Sequence, residues 1–124
     1  MTAYPPNILV LEDEPIILME LSMALEDMGA VPVTAVNPDK ALARIKETRI
    51  DAAILDVNLG RNSTCEAVAD ELSRMQVPFL LHSGDLVRQG ELIARIDAEV
   101  VAKPAASETV ARRAIALASG EKVS

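Results

Sequence analysis

The sequence predicts an α/β fold of five strand–helix units, (βα)5, in which a five-stranded parallel sheet is doubly wound by helices on both faces. Two observations carry this. Short, continuously apolar runs recur along the 124 residues, and each is followed by a longer stretch with helical period. Strands apolar on both faces belong to a parallel sheet covered on each side, whereas a sheet with one wet face alternates apolar with polar.

Asn7 to Leu11 (NILVL) is the first strand. Glu12, Asp13 and Glu14 follow, then Pro15, which suits the first turn of a helix whose positive end favours the acids. Ile17, Leu21, Ala24, Leu25 and Met28 share one helical face, ended by Gly29. Val31 to Val36 is the second strand, and Asn37-Pro38 reads as N-cap and first helical residue ahead of Leu42 and Ile45. Ala52 to Leu55 is the third strand, ending at Asp56. After a loop with Gly60, Ser63-Thr-Cys-Glu66 has the capping-box pattern, and Val68, Leu72 and Met75 form an inward face. Val77 to Leu81 predicts the fourth strand, running out through His82, Ser83 and Gly84. The next helix, Leu86 to Ile96, contains Gly90, which costs about 1 kcal/mol against Ala in a helix interior, so a short or mobile helix is expected. Glu99 to Ala102 is the fifth strand, closed by Lys103-Pro104. Ser107 is expected to cap a last helix with Val110, Ala114 and Leu117 inward and Arg112 and Arg113 on a solvated face. The five methionines read mostly as core filler, Met28 and Met75 most clearly.

Composition bounds the function. Half the chain is hydrophobic and a quarter is charged, the balance of a globular domain. A single domain over residues 1–124 is expected, with its core at about 7–118 and a tail at 119–124. Twelve Lys plus Arg against 19 Asp plus Glu give a net charge of −7, which argues against nucleic acid and anionic membranes as partners. No apolar run approaches the roughly 18 residues of a membrane span, and the start has no basic region of a signal peptide. Cys65 is the single cysteine, so no intrachain disulfide forms. These features make the cytoplasm the expected compartment.

In an open parallel sheet, ligands bind beyond the carboxyl ends of the strands, at the switch point of the strand order. The polar residues at those ends are Glu12 and Asp13, Asp56, Ser83 and Lys103. With the first and third strands adjacent, three carboxylates meet one cation, which pushes carboxyl pKa values upward. An oxygen-only, water-exposed donor set suits Mg²⁺ together with a phosphoryl group. A carboxylate can attack phosphorus to give an acyl phosphate, and the rest of phosphoryl transfer is alignment and charge neutralisation.

At these residues the chain resembles the receiver domains of two-component response regulators. The matching segments are ILVLEDEP (Ile8 to Pro15), DAAILDVNLG (Asp51 to Gly60), FLLHSG (Phe79 to Gly84) and VVAKP (Val100 to Pro104), and the likeness runs from about Asn7 to Leu117. It implies the flavodoxin-like strand order 2-1-3-4-5. It implies that Asp56 is the phosphoacceptor and that Mg²⁺ is held by Asp13, Asp56, Glu12 through water and the Asn58 backbone carbonyl. Ser83 is then the switch hydroxyl and Lys103 the phosphate-binding lysine, joined to Pro104 by a cis bond. Asn58 and Asp85 fall where dephosphorylation is tuned. The implied donor is a phosphohistidine on a sensor histidine kinase or a histidine phosphotransfer protein, docked against the first helix. Output passes to a protein target, and a homodimer is compatible with the family. Such a domain is a signalling switch with intrinsic phosphotransfer and slow autodephosphorylation, not a metabolic enzyme. One position departs: the family's usual aromatic, three residues before the lysine, is Val100 here.

Blander readings stand beside these. Glu12 to Glu14 could be ordinary helix-start acids, and Asp56 a turn residue. Alternation turns His82 away from Ser83, which favours a packed structural histidine, and Cys65, without a partner, reads as a structural thiol. A receiver-like module that binds without phosphorylation is the main alternative. A Mg²⁺-dependent phosphohydrolase would want D-x-D where Glu12-Asp13-Glu14 stands, and a flavodoxin-type carrier would want aromatic flavin partners where the chain has one Tyr, one Phe and no Trp.

Overall fold

The structure, a computed structural model, describes residues 5–57, 59, 64–84, 94, 96, 98–103 and 105–120. Its strands are β1 (Asn7–Leu11), β2 (Val31–Ala35), β3 (Ala52–Asp56), β4 (Phe79–Ser83) and β5 (Glu99–Ala102). All pair in parallel, in the order β2-β1-β3-β4-β5. Among the described residues the long helices are α1 (Pro15–Asp27), α2 (Pro38–Glu47), α3 (Glu66–Arg74) and α4 (Ser107–Ala118). The helix expected over Leu86 to Ile96, with Gly90, lies outside the described residues except at Ala94 and Ile96, both helical.

The chain steps outward from β1 to β2, then returns past β1 to β3. The switch point therefore falls between β1 and β3, whose register pairs Leu11 with Leu55. Glu12 and Asp56 each come next in their strands, so the topology sets two acids side by side. The alternation of side chains divides the core in two. Leu9, Leu11, Leu55 and Leu81 pack under α2 and α3, against Ile45 and Leu72. Ile8, Val10, Ile54 and Leu80 pack under α1 and α4, against Leu25 and Val110. Two dry faces hold the inner strands rigid, and the acids stand on their ends.

Several local expectations are met by identifiable bonds. Asn37 Oδ1 accepts from the Lys40 backbone N–H at 2.8 Å, with Pro38 as the first helical residue. Gly29 takes the left-handed φ of +85° that ends α1, where a Cβ would be strained. Replacing Asn37 with Ala is expected to cost about 1 kcal/mol by removing this cap, read as a lower urea midpoint at constant slope.

Other expectations are corrected. The cap of α3 is Cys65, and the local bond is from the Glu66 N–H to Thr64 Oγ1 at 3.3 Å; the capping-box serine, Ser63, lies outside the described residues. Ser107 is already helical, so Ala106 holds the cap position of α4 and no side chain caps it. Strand β4 begins at Phe79 rather than Val77. Gln76 takes a φ of 61° at the end of α3, and Val77 still donates to Leu72 O, so the chain reaches the sheet two residues late. Full burial on both faces holds for the inner strands only, since β2 and β5 are edges with partly open faces. Met75 is 41 % exposed because it caps the C-terminus of α3 instead of lying under it. Arg113 is not simply solvated: its Nε donates to Glu99 Oε2 at 2.7 Å and ties α4 to β5.

Candidate functional site

Glu12, Asp13 and Asp56 each present a carboxylate oxygen within 4.8 Å of the others. Two of the three are deeply buried, with Glu12 only 1 % and Asp56 4 % exposed, while Asp13 faces solvent. Local backbone geometry fixes Glu12. Its N–H donates to Ala35 O on the neighbouring strand, and its Oε2 accepts from the Glu14 N–H at 3.3 Å. The turn into α1, set by Pro15, thus folds the Glu12 side chain back over the strand ends.

Lys103 reaches this cluster from the end of β5. Its Nζ lies 3.4 Å from Glu12 Oε1 and 3.5 Å from Asp56 Oδ1. The Lys103 N–H donates to Ser83 O at 2.8 Å, so the parallel ladder continues one residue past β5 and aims the side chain inward. A Cβ built on Gly84 would touch the Lys103 stem at 3.6–3.7 Å, which leaves ordinary van der Waals room.

One ammonium does not balance three carboxylates. Burial first, then the Glu12 charge and a carboxyl–carboxyl hydrogen bond with Glu12, push the Asp56 pKa up to about 8 against the pull of Lys103. For Lys103, burial acts to lower the pKa, but Asp56 and Glu12 outweigh it and hold the ammonium above its ordinary range. The pocket therefore conserves a proton that a divalent cation would displace. Its donors are all oxygen, close together and open to water on the Asp13 side, which fits Mg²⁺.

Chain comparisons agree with this architecture. SdrG from Sphingomonas melonis Fr1 is 35 % identical, with a TM-score of 0.74 over 95 % of this chain and 98 % of that one. A CheY-like response regulator receiver domain protein from Methanospirillum hungatei superposes with a TM-score of 0.80 at 18 % identity, covering 94 % of this chain and 95 % of that one. The regulatory protein VirG of Rhizobium rhizogenes is 28 % identical over 116 residues, 90 % of this chain and 48 % of its own length. This chain belongs to the response-regulator receiver domains. No family model matches the sequence. The receiver spans about half the length of the curated VirG relatives it matches.

Ser83 is buried at the end of β4. It follows Leu81 in alternation and so belongs to the sheet face of α2 and α3, the face on which Val100 packs half-buried. Asp56 and Lys103 follow Ile54 and Val101 on the other face. The receiver thus gathers Glu12, Asp13, Asp56 and Lys103 tightly, with Ser83 at the same sheet end across the β4 backbone. Asn58, Asp85 and Pro104 lie outside the described residues. Cys65 is buried, and burial pushes its thiol up to about 12, so it stays protonated and inert.

The sequence reading turned His82 away from Ser83. The structure agrees, and by doing so sets His82 on the face of Asp56, its register partner in β3. A second missed feature is the outer face of α1, where Ile16 (67 % exposed), Met19 and Met23 stand in solvent at helical spacing. Methionines read as core filler are surface here. No helix among the described residues is long and apolar enough to cross a membrane.

Proposed function

We propose that this receiver accepts a phosphoryl group on Asp56 from a phosphohistidine and signals through protein contacts. The observation that carries the reading is the buried Asp56 carboxylate, grouped with Glu12 and Asp13 and faced by Lys103 at 3.5 Å. An Asp56 oxygen attacks phosphorus, the P–N bond to the donor imidazole breaks, and the nitrogen keeps the electron pair. Asp13, Asp56, Glu12 through water and the Asn58 carbonyl would hold Mg²⁺, which when bound supplies the positive charge that ionises Asp56 and offsets the phosphoryl oxygens. Lys103 exchanges its carboxylate partners for a phosphoryl oxygen, as a compact ammonium on a flexible stem can. The Ser83 hydroxyl donates to another oxygen, and Asn58 and Asp85 set the lifetime of the acyl phosphate.

The donor is a sensor histidine kinase or a histidine phosphotransfer protein. Its docking surface is the outer face of α1, where Ile16, Met19 and Met23 offer apolar area beside a groove of about 410 Å³ between α1 and the start of α4. Glu20, Asp27 and Glu108 on that groove favour a basic rim on the partner. The receiver unit covers about residues 7–118, acts in the cytoplasm, and hands the signal to a protein target.

Acetyl phosphate tests this without a partner. Its P–O bond breaks, acetate leaves, and Asp56 becomes an acyl phosphate. A phosphate-affinity gel is expected to show a shifted band that requires Mg²⁺ and is absent from Asp56→Asn. If neither acetyl phosphate nor a histidine kinase donor produces the band, and Mg²⁺ binding is also absent, the phosphoacceptor reading is wrong. A binding module without phosphorylation then takes its place.

A further inference from the structure

His82 is the one histidine of the chain, and it is 4 % exposed in β4 between leucine-rich core layers. Both ring nitrogens are inaccessible to solvent, and among the described residues neither has a hydrogen-bond partner. Burying an imidazole without a hydrogen-bond partner carries a desolvation cost that a leucine would not. Its place gives the cost a meaning. The register sets it opposite Asp56 on β3 and Val101 on β5, so alternation turns its ring to the face shared by Asp56 and Lys103. Burial first and the nearby Lys103 charge second hold it neutral, with its pKa down at about 4. A neutral imidazole offers one acceptor nitrogen, which is what an ammonium lacks when its carboxylates are engaged elsewhere.

We propose that His82 is a positioning residue for Lys103: its ring waits without a partner while Lys103 is drawn to Glu12 and Asp56, and accepts from the ammonium once a phosphoryl group and a cation engage those carboxylates. This rests on the phosphoacceptor reading above. In the resting pocket the Lys103 Nζ is shared between both carboxylates, at 3.4 and 3.5 Å, longer than the usual charge-assisted bond. When Glu12 and Asp56 are neutralised by a cation, that pull weakens. Lys103 then has a phosphoryl oxygen on one side and the His82 acceptor on the other. The orphaned nitrogen of the resting state becomes a bonded one in the loaded state, and the difference favours loading. The route runs on the α1 and α4 face, so it does not need the aromatic that Val100 replaces.

A single histidine makes the test direct. Imidazole nitrogen NMR of the ¹⁵N-labelled protein, before and after Mg²⁺ plus beryllofluoride as phosphoryl analogue, follows one ring. The acceptor nitrogen is expected to shift to lower frequency on loading, together with the Asp56 and Ser83 amides. His82→Leu is expected to hold the analogue roughly tenfold more weakly, and His82→Gln, which keeps an acceptor, to recover part of the loss. Shifted amides with unchanged ring nitrogens would overturn the proposal and leave His82 as packing. Equal analogue affinity in wild type and His82→Leu would do the same. If no amide responds to the analogue, the phosphoacceptor reading fails, and this inference falls with it.

Discussion

Asp56→Asn is expected to make the metal-free protein more stable at pH 8, not less. The folded pKa of about 8 stands above the ordinary 3.8, because burial and Glu12 oppose the charged form. Between these values the folded state keeps a proton that the unfolded chain has lost. Stability therefore falls as pH rises through that window, and is highest near its acid end. Asparagine removes the conflict while keeping the shape. A gain of about 1–2 kcal/mol at pH 8 is expected, or roughly 4–10 °C in Tm for a domain of this size, shrinking toward pH 5. Mg²⁺ is expected to raise the wild-type Tm most at pH 8, where it competes with the fewest protons, and to do little for the variant. Thermal melts at both pH values, with chelator or Mg²⁺, read all four corners. A wild-type Tm that stays flat from pH 5 to 8 would show that the carboxylates of this pocket are not in conflict.

Lys103→Met is expected to act in the opposite direction and on chemistry as well. The Lys103 ammonium offsets two deeply buried carboxylates, and its loss takes away a counter-charge that Glu12 and Asp56 share. Removing one partner of a buried ion group costs about 3–5 kcal/mol in general. The partial exposure of Lys103 and the proton already held at Asp56 reduce this to about 2–3 kcal/mol at pH 8, and to less at pH 5, where Asp56 is more fully protonated. Phosphoryl uptake from acetyl phosphate is expected to fall about a hundredfold, the usual size for loss of one charge-stabilising donor. Melting curves and gel-shift rates on the same preparation separate the two effects. The double variant Asp56→Asn, Lys103→Met is expected to lose less stability than the sum of the single changes, because the groups share one network. Unchanged uptake in Lys103→Met would remove the lysine from the phosphoryl reading.

Much of this was legible because local chemistry decided it. Asn37-Pro38 could only open a helix, and Gly29 could take the left-handed φ that closes α1. The short apolar runs of β1 and β3 could hide only between two layers, so their strand type and approximate ends followed. Even the excess of acid over base at the strand ends could be counted from the sequence. Elsewhere the local signal was a poor guide. Ser107 looks like a cap, but α4 starts one residue earlier, and Ser63 to Glu66 looks like a capping box where the cap is Cys65. Caps contribute about a kilocalorie, too little to fix a helix end against packing that is worth several. Arg113 meets Glu99 across two elements that no sequence window joins.

The sequence by itself determined the α/β class, the approximate strand positions and the set Glu12, Asp13, Asp56, Ser83 and Lys103 at the strand ends, because hydrophobic period and turn chemistry are written in neighbouring residues. Only the tertiary structure decided how those residues meet. Parallel register aligned Glu12 with Asp56, carried Lys103 to within 3.5 Å of both, kept Ser83 on the other face of β4 and left the His82 ring buried without a hydrogen-bond partner among the described residues. Distances between strand ends, and the burial that turns a carboxylate into a proton store, arise from pairing over long sequence separations, and a linear pattern does not contain them.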